Sequence, residues 1–344
     1  MEFTLDVLTD ELSRTFLLSV GAFLLAMFLT PIYTFVAYRF KFWKKQRTES
    51  TTGEALKVFT KLHANKFKRN IPTMAGMVFV IAVAAITLLF NLDRQETYLP
   101  LAAFIGGALV GILDDIINIR GDGKGVAGLR SGLKFAMITA IGVGLGWYFF
   151  SKLGVDAITV PFIGDVTLGW FIIPLFAFAV VAAGNAVNIS DGLDGLAGGL
   201  AAIAYGSFGV IALLQGSPMI AGFCFTVTGA LLSYLWFNIY PARFFMGDVG
   251  SFALGTSLGV VAMLTDTLLL LPIIGFMFVV EAGSSLIQIF SKRVFKRKVF
   301  ISAPIHHHLE ASGWPETKVT MRFWVIGIVT AFIGVMIALA GGSI

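Results

Sequence analysis

The sequence predicts an all-α, polytopic membrane protein with about ten transmembrane helices, and three observations carry that prediction. Hydrophobic residues make up 57% of the 344-residue chain and charged residues only 13%. Apolar runs close to the ~20 residues that cross ~30 Å of hydrocarbon recur from one end to the other. Basic residues gather in alternate connections between those runs. Water could not support so apolar a surface, whereas lipid solvates it.

Taken in order, the runs lie at about 15–38, 73–90, 98–117, 132–150, 168–187, 195–214, 218–237, 248–265, 267–290 and 321–341. The first is longer than a signal-peptide core, follows an acidic head and precedes basic residues, so it is expected to be a retained span. Between the fourth and fifth runs, Ile158, Val160, Phe162 and Val166 alternate weakly around Pro161 and Gly164, which predicts a small surface hairpin. Gly192 and Gly195 predict a helix break near 190–195. Only Thr265, Asp266 and Thr267 separate the eighth and ninth runs, a tight turn. The longest polar stretches are about 39–72, with a helix-like run at Glu54–Lys61, and 291–320.

Of the 25 Lys and Arg, 22 fall in the odd-numbered connections, leaving Arg14, Arg94 and Lys152 for the other side. The positive-inside rule makes those connections cytoplasmic, at about 39–72, 117–131, 188–194, 238–247 and 291–320. An even number of spans then places both termini outside. The net charge of +5 reflects this orientation, and no nucleic-acid partner is implied. The chain reads as one integral-membrane domain over 1–344. Its one cysteine, Cys224, lies within an apolar run, cannot form an intrachain disulfide and reads as a small hydrophobe.

Ionisable residues at the cytoplasmic ends of spans are the informative feature. Asp114 and Asp115 close the third run, Asn185, Asn188, Asp191 and Asp194 surround the predicted break, and Asp248 opens the eighth run. Glu281 and Gln288 interrupt the ninth. Asp191 and Asp194 also suit helix N-caps, and Glu281 also suits an interhelical polar contact. Capping does not explain Asp114 and Asp115, because the C-terminal end of a helix disfavours anions and adjacent carboxylates repel. A cation or a lysine beside them is expected. Several acids at one membrane face point to a divalent cation with an anionic substrate. An oxygen-rich donor set suits Mg²⁺ better than Zn²⁺. Three of the four histidines, His306, His307 and His308, are consecutive and cannot share one helix face, so a zinc site made of these three alone is not expected. They suit contacts to phosphate or a sugar-linked group. Lys66, Lys68 and Arg69 before the second run, and Lys124, Arg130 and Lys134 after the acid pair, can neutralise an anion.

In this order these residues resemble the polyprenyl-phosphate N-acetylhexosamine-1-phosphate transferases over nearly the whole chain. The resemblance rests on Lys66 to Gly76 with Pro72-Thr73-Met74, Asp114–Asp115, and Asn188-Ile-Ser-Asp-Gly-Leu-Asp-Gly-Leu196. It continues in Phe245-Met-Gly-Asp248-Val-Gly-Ser251, Ala303-Pro-Ile-His-His-His308-Leu-Glu310 and Arg322-Phe-Trp324. Ala75 stands where the family usually has glycine, and the stretch around Lys124 follows the family pattern loosely, so Lys134 is the lysine carried over. The histidine triplet favours the muramoyl branch over the N-acetylglucosamine branch.

The resemblance implies a Mg²⁺-dependent bacterial inner-membrane enzyme of cell-wall synthesis, its active site facing the cytoplasm. UDP-N-acetylmuramoyl-pentapeptide and undecaprenyl phosphate would give lipid I and UMP. Asp248 is the implied metal ligand, and Asp114 and Asp115 receive the lipid phosphate. His306, His307 and His308 contact the diphosphate and the sugar–peptide part. Lys66, Leu193, Asp194 and Asn238 recognise the uridine, with Phe245 stacked on the base. Asn185, Asn188 and Asp191 serve the nucleotide phosphates or the metal surroundings, and Thr73, Lys134, Glu281 and Gln288 complete the substrate site. A homodimer embedded in membrane lipid is also implied. Two alternatives are the same chemistry on UDP-N-acetylglucosamine, and a secondary transporter with the acids as ion relays. Clustering of the acids at one face argues against the transporter.

Overall fold

A computed structural model describes residues 5–43, 70–121 and 128–342. The expected helical run at Glu54–Lys61, together with Lys66, Lys68, Arg69 and Lys124, lies outside the described residues.

The elements run in the expected order. They are α1 (Leu5–Arg39), α2 (Gly76–Phe90), α3 (Tyr98–Arg120), α4 (Ser131–Leu153), β1 (Ala157–Val160), β2 (Gly164–Thr167), α5 (Ile172–Ser190), α6 (Leu196–Leu214), α7 (Pro218–Asn238) and α8 (Gly247–Leu264). After a turn at 265–267 come α9 (Leu271–Ile274), α10 (Phe276–Val294), α11 (Ile305–Ala311) and α12 (Glu316–Ala340). Eight of these helices, α1, α3 to α8 and α12, are long and apolar enough to cross a membrane, so the protein is a polytopic all-α membrane protein. Apolar side chains such as Leu17, Trp147 and Phe332 face outward, as lipid contact requires.

Two segments depart from the expected plain spans. The run at 267–290 is not one helix, because α9 and α10 meet at Gly275 with a bend of 82°. The second run does not begin as helix at Thr73. Residues 70–75 are irregular, and Phe245 N–H donates to the Pro72 carbonyl while Ala75 and Gly76 N–H groups donate to the Phe245 and Met246 carbonyls. α2 is therefore only 15 residues, about 22 Å of helix. The hairpin is antiparallel, with Val160 opposite Gly164. The Asp266 carboxylate holds it by accepting the Thr159 N–H at 2.9 Å, which ties it to the turn after α8.

α8 is the central post, packed between α3 and α5 and buried along most of its length. Its side chains enter both apolar clusters, Leu254 and Val261 in the larger and Phe252 and Val260 in the smaller. α3 crosses it at Gly111, where a Cβ would lie 2.2 Å from the Asp248 carbonyl oxygen. Only glycine permits that approach. The crossing sets the residues one turn further along α3 beside the first turn of α8.

Candidate functional site

Asp114 and Asp115 sit on that next turn and are almost wholly buried. α3 runs on to Arg120, so the pair lies inside the helix rather than at its end. Asp248, in the first turn of α8, is half-buried and faces them. Each of the three carboxylates offers an oxygen, and these lie within 4.8 Å of one another. Lys134, near the start of α4, bridges two of them, its Nζ 3.0 Å from Asp114 Oδ1 and 2.8 Å from Asp248 Oδ2. The lysine expected beside the acid pair is thus present. Backbone donors fix the remaining geometry, with Leu129 N–H on Asp114 Oδ1 at 2.8 Å and Val249 N–H on Asp115 Oδ2 at 3.1 Å. Gly247 adopts φ 76°, and a Cβ there would lie 2.5 Å from Asp115 Oδ2 and 3.0 Å from Thr73 Oγ1. Thr73 therefore adjoins the cluster, its carbonyl taking the Tyr33 hydroxyl at 2.6 Å.

This donor set is all oxygen, carries excess negative charge and already binds one ammonium group. It can hold a divalent cation, and hard-ligand chemistry favours one such as Mg²⁺.

α5 flanks the cluster. Asn188 Nδ2 donates to Ser251 Oγ at 2.9 Å, one turn after Asp248, whereas Asn185 Nδ2 donates to Val181 of its own helix. The chain breaks at 191–195 as expected, but neither aspartate caps α6. Its N-cap is Gly195 at φ 77°, and Asp191 ends α5. Asp194 instead ties three segments together. Its Oδ2 accepts the Ala242 N–H at 3.0 Å, its N–H donates to Glu316 Oε1 at 2.7 Å, and its carbonyl accepts the Thr320 hydroxyl at 3.3 Å. Asn238 adds a fourth tie by accepting the Gly195 N–H and donating to the Phe244 carbonyl, both at 2.9 Å. Leu193, Asp194 and Asn238 are all buried. Phe244 anchors the 238–246 loop against Tyr33, Tyr234 and Phe237, and this leaves the next residue, Phe245, half-exposed.

The histidines diverge, as their adjacency requires. His306 Nδ1 meets Glu281 Oε2 at 2.7 Å, both side chains buried, and His307 Nδ1 meets Glu310 Oε2 at 2.8 Å. His308 Nδ1 accepts the Ile301 N–H at 3.2 Å. The far edge of the His306 ring abuts Gly192, where a Cβ would lie 2.2 Å from Nε2, so α11 touches the 191–195 loop. Gln288 is turned elsewhere. Its Oε1 accepts Val299 and Phe300 N–H and its Nε2 donates to the Phe300 carbonyl, all at 3.0 Å. Glu316, Ser251 and Tyr33 support the site through partners distant in sequence; Ser251 closes the Phe245–Ser251 motif, whereas no local pattern marks Glu316 or Tyr33.

Residues 97–266 match the model of glycosyl transferase family 4. A phospho-N-acetylmuramoyl-pentapeptide-transferase of Chloroflexus aggregans is 38% identical over 351 residues, covering 98% of this chain and 93% of the relative. Proteins of the same name from Geobacillus sp. and Clostridium perfringens are 38% identical (92% and 95% covered) and 36% identical (91% and 94% covered).

Proposed function

The chain belongs to the phospho-N-acetylmuramoyl-pentapeptide-transferase family, and we propose that it makes lipid I and UMP from UDP-N-acetylmuramoyl-pentapeptide and undecaprenyl phosphate. The N-acetylglucosamine alternative finds no support among these relatives. The reading sets all ten apolar segments as one membrane domain of the bacterial inner membrane, with both termini outside and the acid cluster at the cytoplasmic face. It also takes the working form to be a homodimer.

The observation that carries the chemistry is the Asp114–Asp115–Asp248 cluster bridged by Lys134. Asp248, with Asp114 and Asp115 in reach, would hold Mg²⁺, which when bound supplies Lewis-acid neutralisation of the donor diphosphate. The lipid phosphate, with a second pKa near ~6, is already mostly dianionic at neutral pH. Asp114 and Asp115 therefore act mainly by positioning it, and any last proton passes to one of them. A lipid phosphate oxygen attacks the sugar-bearing phosphorus, the bond to the UMP oxygen breaks, and UMP departs. Lys134 balances negative charge that shifts toward the leaving group. Holding both reactants at one cluster favours direct in-line transfer over an aspartyl intermediate. Lys66, Leu193, Asp194, Asn238 and Phe245 are assigned to the uridine, and Asn185, Asn188 and Asp191 to its phosphates. Thr73, Glu281 and His306 to His308 are assigned to the diphosphate and sugar–peptide side, whereas Gln288 braces the segment at Val299 and Phe300.

UMP release by the purified protein tests the proposal. Release that needs Mg²⁺, undecaprenyl phosphate and the muramoyl-pentapeptide donor together is expected. Release only from UDP-N-acetylglucosamine would refute the donor, and no lipid-dependent release from folded protein would refute the transferase.

A further inference from the structure

Burial divides the histidine triplet. The Glu281 and His306 side chains are 0% and 1% exposed, whereas those of Glu310 and His307 are 8% and 12% exposed. A substrate cannot touch the His306 ring without displacing what covers it, and both of its edges are covered. On one side Glu281 Oε2 lies 2.7 Å from Nδ1. On the other, Nε2 and Cε1 face Gly192, where a Cβ would lie 2.2 and 2.8 Å from those atoms. Gly192 is outside the left-handed region of backbone space, so the ring, and not the chain conformation, demands glycine there.

α10 holds the backbone beside the ring as well. The Ser284 hydroxyl donates to the Glu281 carbonyl at 2.8 Å and accepts the Ile305 N–H at 2.9 Å, which latches the first residue of α11 one turn from Glu281. Glu281 Oε1 has no hydrogen-bond partner among the described residues, so the hydrogen bonding of this buried carboxylate is to His306. A carboxylate only accepts, so the proton between the two groups sits on Nδ1. Tautomer and ring orientation are thereby fixed, as an outer carboxylate fixes a metal-bound histidine.

We propose that Glu281 and His306 are positioning residues, a buried strut that sets the 191–195 loop for the nucleotide, and that His307 and His308 are the members of the triplet that meet the substrate. The inference rests on the transferase reading and refines it, since Glu281 and His306 then serve the substrate without touching it. The loop carries Asp191, Leu193 and Asp194, and Asp194 is tied to Ala242, Glu316 and Thr320. A shift at Gly192 therefore passes to the residues assigned to the uridine and its phosphates.

Two measurements on the full-length protein test the strut. Magic-angle-spinning NMR of ¹⁵N-histidine-labelled protein reads the ring directly, with His306 assigned by its loss in H306N. Nδ1 should carry a proton in the wild type and in E281Q, whose amide oxygen still accepts. In E281L it should lose that proton in favour of Nε2–H. Calorimetry with UMP reads the loop without turnover. The UMP dissociation constant should rise about threefold in E281Q and about 30-fold in E281L. G192A should raise it about tenfold, and E281L/G192A should bind no more weakly than E281L alone, because both changes act through one ring. In turnover the donor KM should follow the same ratios while the KM for undecaprenyl phosphate stays unchanged. An unprotonated Nδ1 in the wild type, a spectrum that needs no variant at 281 to fold, overturns the proposal. So does wild-type UMP affinity in E281L, or a double variant weakened multiplicatively by about 300-fold, as independent structural damage would be. Absence of UMP binding to the wild-type protein would instead overturn the nucleotide reading of the loop, and the strut with it.

Discussion

Replacing Lys134 by glutamine should weaken the enzyme and strengthen its hold on the metal. The ammonium bridges Asp114 and Asp248 at 3.0 and 2.8 Å, and the side chains of Lys134, Asp114 and Asp248 are 19%, 3% and 16% exposed. Breaking a buried ion pair from one side costs ~3–5 kcal/mol. Residual water contact at Lys134 and Asp248 reduces that to about 2 kcal/mol for metal-free protein. The ammonium and a divalent cation draw on the same oxygens, so the lysine's attachment opposes metal binding. Relief of about 2 kcal/mol of competition corresponds to an apparent Mg²⁺ dissociation constant about 30-fold lower. UMP release should meanwhile drop by roughly 10²–10³-fold, because a cation that balances charge in the transition state is gone. Melting midpoints across a Mg²⁺ titration, run at one scan rate, give the affinity without reference to activity. An unchanged or weaker Mg²⁺ affinity in K134Q would show that the lysine does not compete for these oxygens, and the reasoning would fail.

Asp248→Asn should abolish the Mg²⁺-dependent rise in melting midpoint and lower turnover by about 10³-fold; a retained rise would remove Asp248 from the metal site. Gly247→Ala forces a Cβ into a left-handed position 2.5 Å from Asp115 Oδ2, so activity should collapse while far-ultraviolet circular dichroism stays helical. Glu316→Gln weakens the acceptor for Asp194 N–H by about 1 kcal/mol, which should raise the donor KM about fivefold and leave kcat near wild type. Glu96, in the loop before α3, is half-buried and accepts the Ile220 N–H, and burial holds its pKa above the ordinary 4.5. The folded form therefore keeps the proton longer than the unfolded chain, and the stability Glu96 contributes below pH 4.5 is lost as pH rises through the folded pKa. Glu96→Gln should flatten the fall in melting midpoint between pH 4 and 7, and a steeper fall would contradict this sign.

What the sequence made legible was what local pattern encodes. Lipid-crossing helices announce themselves by composition, and the hairpin and the turn at Thr265–Thr267 by glycine, proline and short polar interruptions. Asp114 and Asp115 could be singled out because no helix-end effect explains two adjacent acids, and Lys134 answers the charge they leave. The bend at Gly275 was hidden, since the residues on both sides are equally apolar and lone glycines are common in membrane helices. Asp194 reads locally as a cap, yet its partners at Ala242, Glu316 and Thr320 lie 48 to 126 residues away. Such ties depend on how helices pack, which side-chain spacing does not reveal. The same limit hid Glu316 and Tyr33.

The burial of α8 bears on how the molecule is made. It is the least apolar of the eight long helices, broken up by Gly250, Ser251, Gly255, Thr256, Ser257 and Gly259, and it carries Asp248. Such a segment is a poor candidate for entering lipid unaided. Its neighbours α3 and α5 are synthesised earlier and form a slot into which small residues fit closely. Insertion of the helix and completion of the acid cluster are then a single event during biosynthesis, and a chain that fails to seat α8 presents a defective segment to membrane quality control before it can become an idle enzyme.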